Sequence, residues 1–395
     1  MSKKVLIFSF YPNLAQSKPY IYRINFDDLK EKRNIHSALA LLDSYLEKEY
    51  DAKLVIMQEE SYDFKKEDFI NKTRFCPEFI EKHIHFERFP IKGFIEGKSY
   101  DVDINFIKSY AIVLFHKYFE EFSPDIVYLD ISRGHNYLNA LAHDAYKAFV
   151  SGLKSRIYPQ EISKKLFLTF SVITDEKTQT VYRTKIDVFI ALYKYTSDSL
   201  LKKQHELNFI SSKITHFSSI IITSFTEALP LYILTTIEWE RVKEVIENMR
   251  LKLNDLSFWD NIKKESLKTH ISGVYIHYNF LERFYELVKP YLEKIFDKKV
   301  HMNILKDFNE KVIKNELRLN LAYSFINREL NYWSDFYKGE NKNLPKGDVD
   351  IKRNFFAHAG LSHSTLDLDV LIKEGCFKYK EEKIKKIKSW VKALK

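Results

Sequence analysis

Cysteine is nearly absent. Cys76 and Cys376 are the only two among 395 residues, they lie far apart, and neither belongs to a CxxC pair. This argues against a disulfide scaffold or a cysteine-built zinc site, and it suits a reducing compartment. Long apolar runs are missing too. The most apolar stretches, such as 228–237, fall far short of the roughly 18 residues needed to span a bilayer. Met1-Ser2-Lys3-Lys4 leads into a short apolar run, Val5 to Phe10, with neither the length nor the cleavage site of a signal peptide. A soluble, cytoplasmic protein without a membrane partner is expected. Internal repeats and low-complexity linkers are lacking. So are the GxGxxG of a dinucleotide site, the lysine of a P-loop, and a helix-turn-helix pattern with a basic recognition helix.

Hydrophobic residues make up 45% of the chain and aromatics 15%, so a large core can form and a disordered composition is excluded. The length suits two domains. The formal net charge of +9 leans towards acidic partners such as nucleic acid. The excess is spread over many lysines among abundant Asp and Glu, so a solvated, heavily charged surface accounts for it equally well.

The N-terminal half alternates strand and helix signals. Val5-Leu6-Ile7-Phe8 is a continuous apolar run, as in a strand buried on both faces. Helical spacing follows over 35–50, with Leu39, Leu42 and Leu46 on one side, and 53–57 is the next strand. A long amphipathic helix over 104–122 ends at Ser123-Pro124. A strand is expected over 125–130, a helix over 137–150, and strands over 165–173 and 180–190. Strands separated by helices imply a parallel-rich, doubly wound α/β sheet, in which ligands bind beyond the carboxyl ends of the strands. After about residue 195 the pattern becomes helical, over 197–208, 237–253, 280–296, 306–336 and 351–359, with a Lys-rich helix over 380–395. The expected organisation is a Rossmann-like α/β domain over 1–195 and a mainly α-helical region over 196–395.

Two segments carry chemistry. The first is Arg353-Asn354-Phe355-Phe356-Ala357-His358, approached through Pro345 and Gly347 and followed by Gly360. Asp348 or Asp350 can cap a short helix here, and Gly360 can stop it. Asn354 and His358, four apart, share a helix face, so the amide can orient the imidazole. Arg353 stands five residues from His358, about 140° around the helix, but a shared phosphate is within its reach. Histidine moves protons near neutral pH and arginine holds a charged phosphorus centre. The same residues also fit a surface arginine and a core histidine.

The second segment runs Asp130-Ile131-Ser132-Arg133-Gly134-His135-Asn136, where a strand turns through a polar loop into a helix. Gly134 allows close backbone approach. Free N–H groups at the helix start, with the Ser132 and Asn136 side chains, can hold phosphate oxygens. An ordinary strand-to-helix turn fits as well.

Arg353-Asn354-x3-His358 resembles the motif of the HEPN ribonucleases. The 130–136 loop resembles the ligand loop of CARF domains, the sensors of type III CRISPR systems. A CARF domain followed by a HEPN domain is the arrangement of the CRISPR ancillary ribonucleases. The resemblance covers the whole chain by domain order and two short segments by motif. It implies a homodimer, or a higher oligomer, whose CARF domains bind a cyclic oligoadenylate, the tetra-adenylate above all, as allosteric activator. It implies cleavage of single-stranded RNA without metal or other cofactor, with the 2′-hydroxyl attacking the adjacent phosphate and leaving 2′,3′-cyclic phosphate ends. Arg353, Asn354 and His358 are then the catalytic residues. Ser9, Tyr11, Ser132, Arg133, Gly134, His135 and Asn136 are then the ligand pocket. Two other functions fit: a ligand-responsive regulator without nuclease activity, and a sensor domain that degrades its own activator through Arg133 and His135.

Other features are given structural roles. His83 and His85 are expected in a surface loop without metal. Arg328 follows Asn327 in reversed order and lacks a histidine partner. The C-terminal lysines suit a solvated helix face or a track for RNA phosphates.

Overall fold

The computed structural model describes residues 2–11, 19–59, 66–73, 75–95, 98–102, 104–132, 136–156, 166–185, 206–259, 272–339 and 351–394. The chain divides into two compact units. The first combines the N-terminal half with Asn248–Asn279, and the second is built from Phe209–Glu247 and Phe280–Lys395. The boundary expected near residue 195 lies outside the described residues.

The first unit runs β1 (Lys4–Tyr11), β2 (Tyr20–Ile24), β3 (Lys32–Asn34), α1 (Ser37–Glu47), β4 (Asp51–Glu59), α2 (Lys66–Thr73), α3 (Pro77–His83), β5 (Ile84–Phe89), β6 (Lys92–Ile95), β7 (Lys98–Asp101), α4 (Ile104–Phe122), β8 (Ile126–Asp130), α5 (Asn136–Arg156), β9 (Leu166–Ile173) and β10 (Thr178–Lys185). The main sheet is ordered β3-β2-β10-β9-β8-β1-β4-β5, and β6 pairs with β7. Five of its seven contacts are parallel: β1 with β4, β1 with β8, β4 with β5, β8 with β9, and β10 with β2. This is a Rossmann-like, parallel-rich sheet.

The chain lays β4 and β5 on one side of β1 and then returns to lay β8 and β9 on the other. The sheet therefore has its switch point between β1 and β8, where α/β folds open a crevice at the strand ends. Val5, Leu6, Ile7 and Phe8 are wholly buried because both faces are covered. Val5 and Ile7 share a core cluster with Leu39 and Leu42 of α1. Phe8 packs edge-on against Phe115 of α4 at 4.8 Å.

The structure differs from expectation in strand direction and in the setting of two histidines. β9 and β10 pair antiparallel, as do β2 and β3. The alternation that marks a strand carries no information on direction, and only a short turn separates β9 from β10. His83 closes α3, with Nδ1 2.9 Å from the Ala52 carbonyl oxygen, and His85 lies half-buried in β5 rather than in a loop. The helix expected over 197–208 falls mostly outside the described residues; the helix seen is α6, Glu206–Thr226.

Helices then follow as α7 (Pro230–Thr235), α8 (Trp239–Asn254), α9 (Ser272–Leu292), α10 (Met302–Phe308), a π-helical segment (Asn309–Glu316), α11 (Asn320–Tyr337), α12 (Ile351–Ala357), α13 (Leu368–Glu374) and α14 (Glu381–Lys392). A two-residue antiparallel pair joins β11 (Val300–His301) to β12 (Cys376–Phe377). The expected single helix over 306–336 is broken. The π-helical segment ends where the amides of Leu317 and Leu319 turn back to the carbonyls of Val312 and Ile313, with Arg318 in the left-handed region (φ 54°). Among the described residues no helix is long and apolar enough to cross a membrane.

Gly152 of α5 lies against α9 within the first unit. A Cβ there would stand 2.4 Å from Tyr275 Cε1 and 2.9 Å from Asn279 Nδ2. Glycine inside a helix ordinarily costs about 1 kcal/mol against alanine. Here the clash outweighs that gain, so Gly152→Ala is expected to destabilise the first unit by about 1–3 kcal/mol in urea unfolding. A gain in stability would show that the two helices do not pack this closely.

Candidate functional site

Asp130 ends β8 with only 1% of its surface exposed. A carboxylate in that position must be hydrogen-bonded. Ser37 Oγ donates to its Oδ2 at 2.7 Å, and Ser132 Oγ donates to its Oδ1 at 2.5 Å. Thr169 Oγ1 donates to Oδ1 at 3.2 Å, and Ser9 Oγ lies 3.4 Å from Oδ2. His36 Nδ1 is 3.6 Å from Oδ2, and the same nitrogen accepts the Ala38 amide as the cap of α1. The backbone register explains the gathering. Ser9, Asp130, Thr169 and Arg183 stand side by side across β1, β8, β9 and β10. Residues on one row and one face of a sheet are neighbours. The start of α1 adds its favourable dipole end to the carboxylate.

A second polar cluster lies on the same face. Asp27, in the left-handed region between β2 and β3, accepts from Tyr45 at 2.7 Å, Tyr128 at 3.2 Å and Arg183 at 2.7 Å. The Arg183 guanidinium lies between the rings of Phe26 and Phe167, 4.8 and 4.5 Å from their centroids. Burial pushes Asp27 towards neutrality, but the hydrogen bonds of Tyr45 and Arg183 and the Arg183 charge win, and its carboxyl is held below the usual range. Burial also pushes the Tyr128 phenol up to about 12.

In the second unit, α12 carries Arg353, exposed, and Asn354, half-buried. Phe355 anchors the helix in the core against Tyr379 and Trp390. The helix ends in a reversal. The Gly360 amide returns to the Phe355 carbonyl and the Ala359 amide to that of Phe356, a Schellman turn with Ala359 (φ 51°) and Gly360 (φ 73°) both left-handed. The stop expected at Gly360 thus takes two residues. Only glycine suits the second, because a Cβ would meet Tyr379 Oη at 3.0 Å.

This turn presents His358, whose amide bonds the Asn354 carbonyl at 3.1 Å. Its Nδ1 lies 3.0 Å from Glu329 Oε2 of α11. The Glu329 side chain is 7% exposed and that of His358 is 42%, so the acid is buried and the ring emerges. Arg328 bonds the other carboxylate oxygen, Nη2 to Oε1 at 3.0 Å. Burial pushes Glu329 up, but the bonds and charges of His358 and Arg328 outweigh it, and its carboxyl is held below the usual range. An ionised carboxylate only accepts, so His358 donates through Nδ1 and keeps Nε2 as its basic nitrogen. A cavity of 290 Å³ opens beside the pair, lined by Arg328, Glu329, Tyr332, Trp333, His358, Leu361, Ser362 and His363.

Residues 6–172 match the family model described as the CARF domain of the CRISPR system endoribonuclease Csx1. The chain carries a CARF domain. The match bears out the CARF part of the resemblance, over residues 6–172. No curated protein sequence matches the chain. Among solved structures, Enterococcus italicus Csm6 bound to cyclic hexa-2′-fluoro-hexa-dAMP aligns with 100% of this chain and 99% of its own. It does so at 12% identity and a TM-score of 0.26, too low to carry any argument.

Within the CARF domain, Ser9 and Ser132 stand together around Asp130. Ser132 Oγ donates to Asp130 Oδ1 here, which leaves its oxygen lone pairs to face the crevice. Arg133, Gly134 and His135 lie outside the described residues, as do the side chains of Tyr11, the last residue of β1, and Asn136, the first of α5. Sequence reasoning missed Asp130, His36, Ser37 and Thr169 as site residues. The available signal was an acid closing the apolar run Ile126-Val127-Tyr128-Leu129. It also passed over Glu329 and Arg328, which a helix distant in sequence brings to His358.

The Asp27 cluster generates a test. A depressed folded-state value means that its contribution to stability is complete above the ordinary carboxylate range and is lost as pH falls through the lowered value. Asp27→Asn is therefore expected to narrow the stability gap to wild type progressively in acid, in urea unfolding at stepped pH. A gap that persists undiminished into strong acid would contradict the assignment.

Proposed function

We propose that the chain is an endoribonuclease switched on by a cyclic oligoadenylate, cyclic tetra-adenylate above all, in CRISPR antiviral defence. In this proposal 1–195 is the sensor and 196–395 contains the HEPN-like nuclease. The observation that carries it is the Glu329–His358 pair, which gives the Arg353-Asn354-x3-His358 motif an oriented imidazole at a cavity, in a chain whose other unit is a CARF domain.

The chemistry follows from the groups present. The 2′-oxygen of single-stranded RNA attacks the neighbouring phosphorus. The O5′ bond breaks, and O5′ leaves with a proton, giving a 2′,3′-cyclic phosphate and a 5′-hydroxyl. His358 Nε2 moves a proton, and Arg353 holds the charge on the phosphorane. One imidazole cannot take the first proton and deliver the second at the same moment, which is why two motifs, paired in a homodimer, fit the reaction. No step calls for a metal. In the sensor, α5 begins at Asn136, a few residues after the carboxyl end of β8, and the N–H groups of its first turn can bond a ligand phosphate or ribose.

The test is cleavage of labelled single-stranded RNA in EDTA, with and without cyclic tetra-adenylate. Wild type is expected to cut only with the ligand, and His358→Ala not at all. Glu329→Gln, which removes the charge that fixes the tautomer, is expected to lower kcat on the order of 10²–10⁴-fold with little change in KM. Full cutting by His358→Ala would overturn the site. Tight ligand binding with no cutting under any condition would favour a regulator without nuclease activity.

A further inference from the structure

The cavity beside His358 contains more than proton transfer needs. Its lining follows from the spacing on α11. Arg328 and Tyr332 stand four apart, as do Glu329 and Trp333, so two adjacent columns of that helix face the cavity. The other wall is the loop after the Schellman turn, with Leu361, Ser362 and His363. Trp333 is spent on structure: its ring is 2% exposed and its Nε1 donates to the Leu361 carbonyl at 2.8 Å, fixing the loop to the helix. Tyr332 is only half-buried, and its ring stands nearly perpendicular to Trp333, at 81°. Burial and the nearby Glu329 charge keep its phenol protonated.

We infer that this cavity is a nucleobase subsite, which takes one base next to the scissile phosphate and stacks it on Tyr332. The inference rests on the endoribonuclease reading and deepens it. Unpaired bases are recognised by stacking on aromatic rings and on arginine planes, with polar groups at the edges. Tyr332 supplies the face, Arg328 a cation at the rim, and the half-buried His363 a polar group for a base edge. The volume of 290 Å³ sits at the lower end of small-molecule pockets, roughly 300–1,000 Å³, and suits a single base rather than a dinucleotide. Because Glu329 belongs both to the cavity wall and to the His358 pair, a base held there sets the phosphate next to the imidazole.

The experiment uses the full chain with cyclic tetra-adenylate. Binding is measured with a 2′-O-methyl hexanucleotide, which lacks the attacking hydroxyl, and cut sites are mapped on unmodified RNA. Tyr332→Leu is expected to weaken binding about tenfold and to flatten the cut-site distribution, and Tyr332→Phe, which keeps the ring, to recover most of the loss. Arg328→Ala, at a side chain 66% exposed, serves as a second variant should Tyr332→Leu fail to fold, with weaker binding again expected. Wild-type affinity and an unchanged cut map in the variants would overturn the subsite and leave the nuclease standing. Tyr332-dependent binding without any cutting would do the reverse. No binding of the hexanucleotide by wild type would also overturn the subsite.

Discussion

A carboxylate that is 1% exposed organises the sensor unit. Removing an ion from water costs several kcal/mol unless its lone pairs are met inside the protein. Asp130 can be met only if β1, β9, the start of α1 and the beginning of the loop after β8 all converge on the end of β8, because each contributes one of its partners. The hydrophobic layers would tolerate small shifts of these elements. The carboxylate does not, since each shift strands a buried polar atom. The geometry of the crevice is thus fixed by one acid more tightly than by the aliphatic packing beneath it.

The second unit repeats the device with a different partner. Glu329 is buried, divided between Arg328 and His358, and its attraction to those groups outweighs the cost of burial. What it organises is a tautomer: one nitrogen of the ring is committed to the carboxylate and the other is left as the basic one. The strained turn at Ala359 and Gly360 follows from the same requirement. The chain must leave α12 sharply so that the imidazole points into the cavity while Phe355 stays in the core. Two consecutive left-handed residues are tolerated because the Schellman hydrogen bonds and the buried aromatics hold the turn.

Much of the framework was legible because burial writes itself into local pattern. The helix expected over 104–122 is observed over those residues, since its apolar stripe is long and Ser123-Pro124 stops it. β1 and β8 were legible as apolar runs covered on both faces. The direction of β10 and the small strands β2 and β3 were not: a three-residue strand has too few residues to show a period, and direction is decided by partners. The motif helix showed His358, but not the acid that orients it. Asn354, four residues away, was the local choice of orienting group, whereas the carboxylate on Nδ1 comes from 29 residues upstream. A hydrogen bond across that separation is set by how helices pack, and no period in the sequence encodes it. The role of Arg328 is hidden for the same reason, because its sequence neighbours do not show that it shares the Glu329 carboxylate with His358.

A buried acid beneath a loop expected to hold a phosphate-bearing ligand looks self-defeating, since like charges repel. The hydrogen bonds resolve it. The hydroxyls of Ser37, Ser132 and Thr169 point their positive ends at Asp130, and the start of α1 adds its own. The negative charge is spread over this shell and directed inward. Ser37 and Thr169 are buried, so what the shell presents outward is the oxygen of Ser132, whose proton is already committed. In the proposed site that oxygen can accept from a ribose hydroxyl or a base amine, its own proton being directed at Asp130. Under the proposed function, donation to phosphate falls to the backbone at the start of α5. Asp130 therefore separates the crevice into an accepting floor and a donating helix end. That division suits a nucleotide, which carries hydroxyls and phosphates together, better than it suits a simple anion.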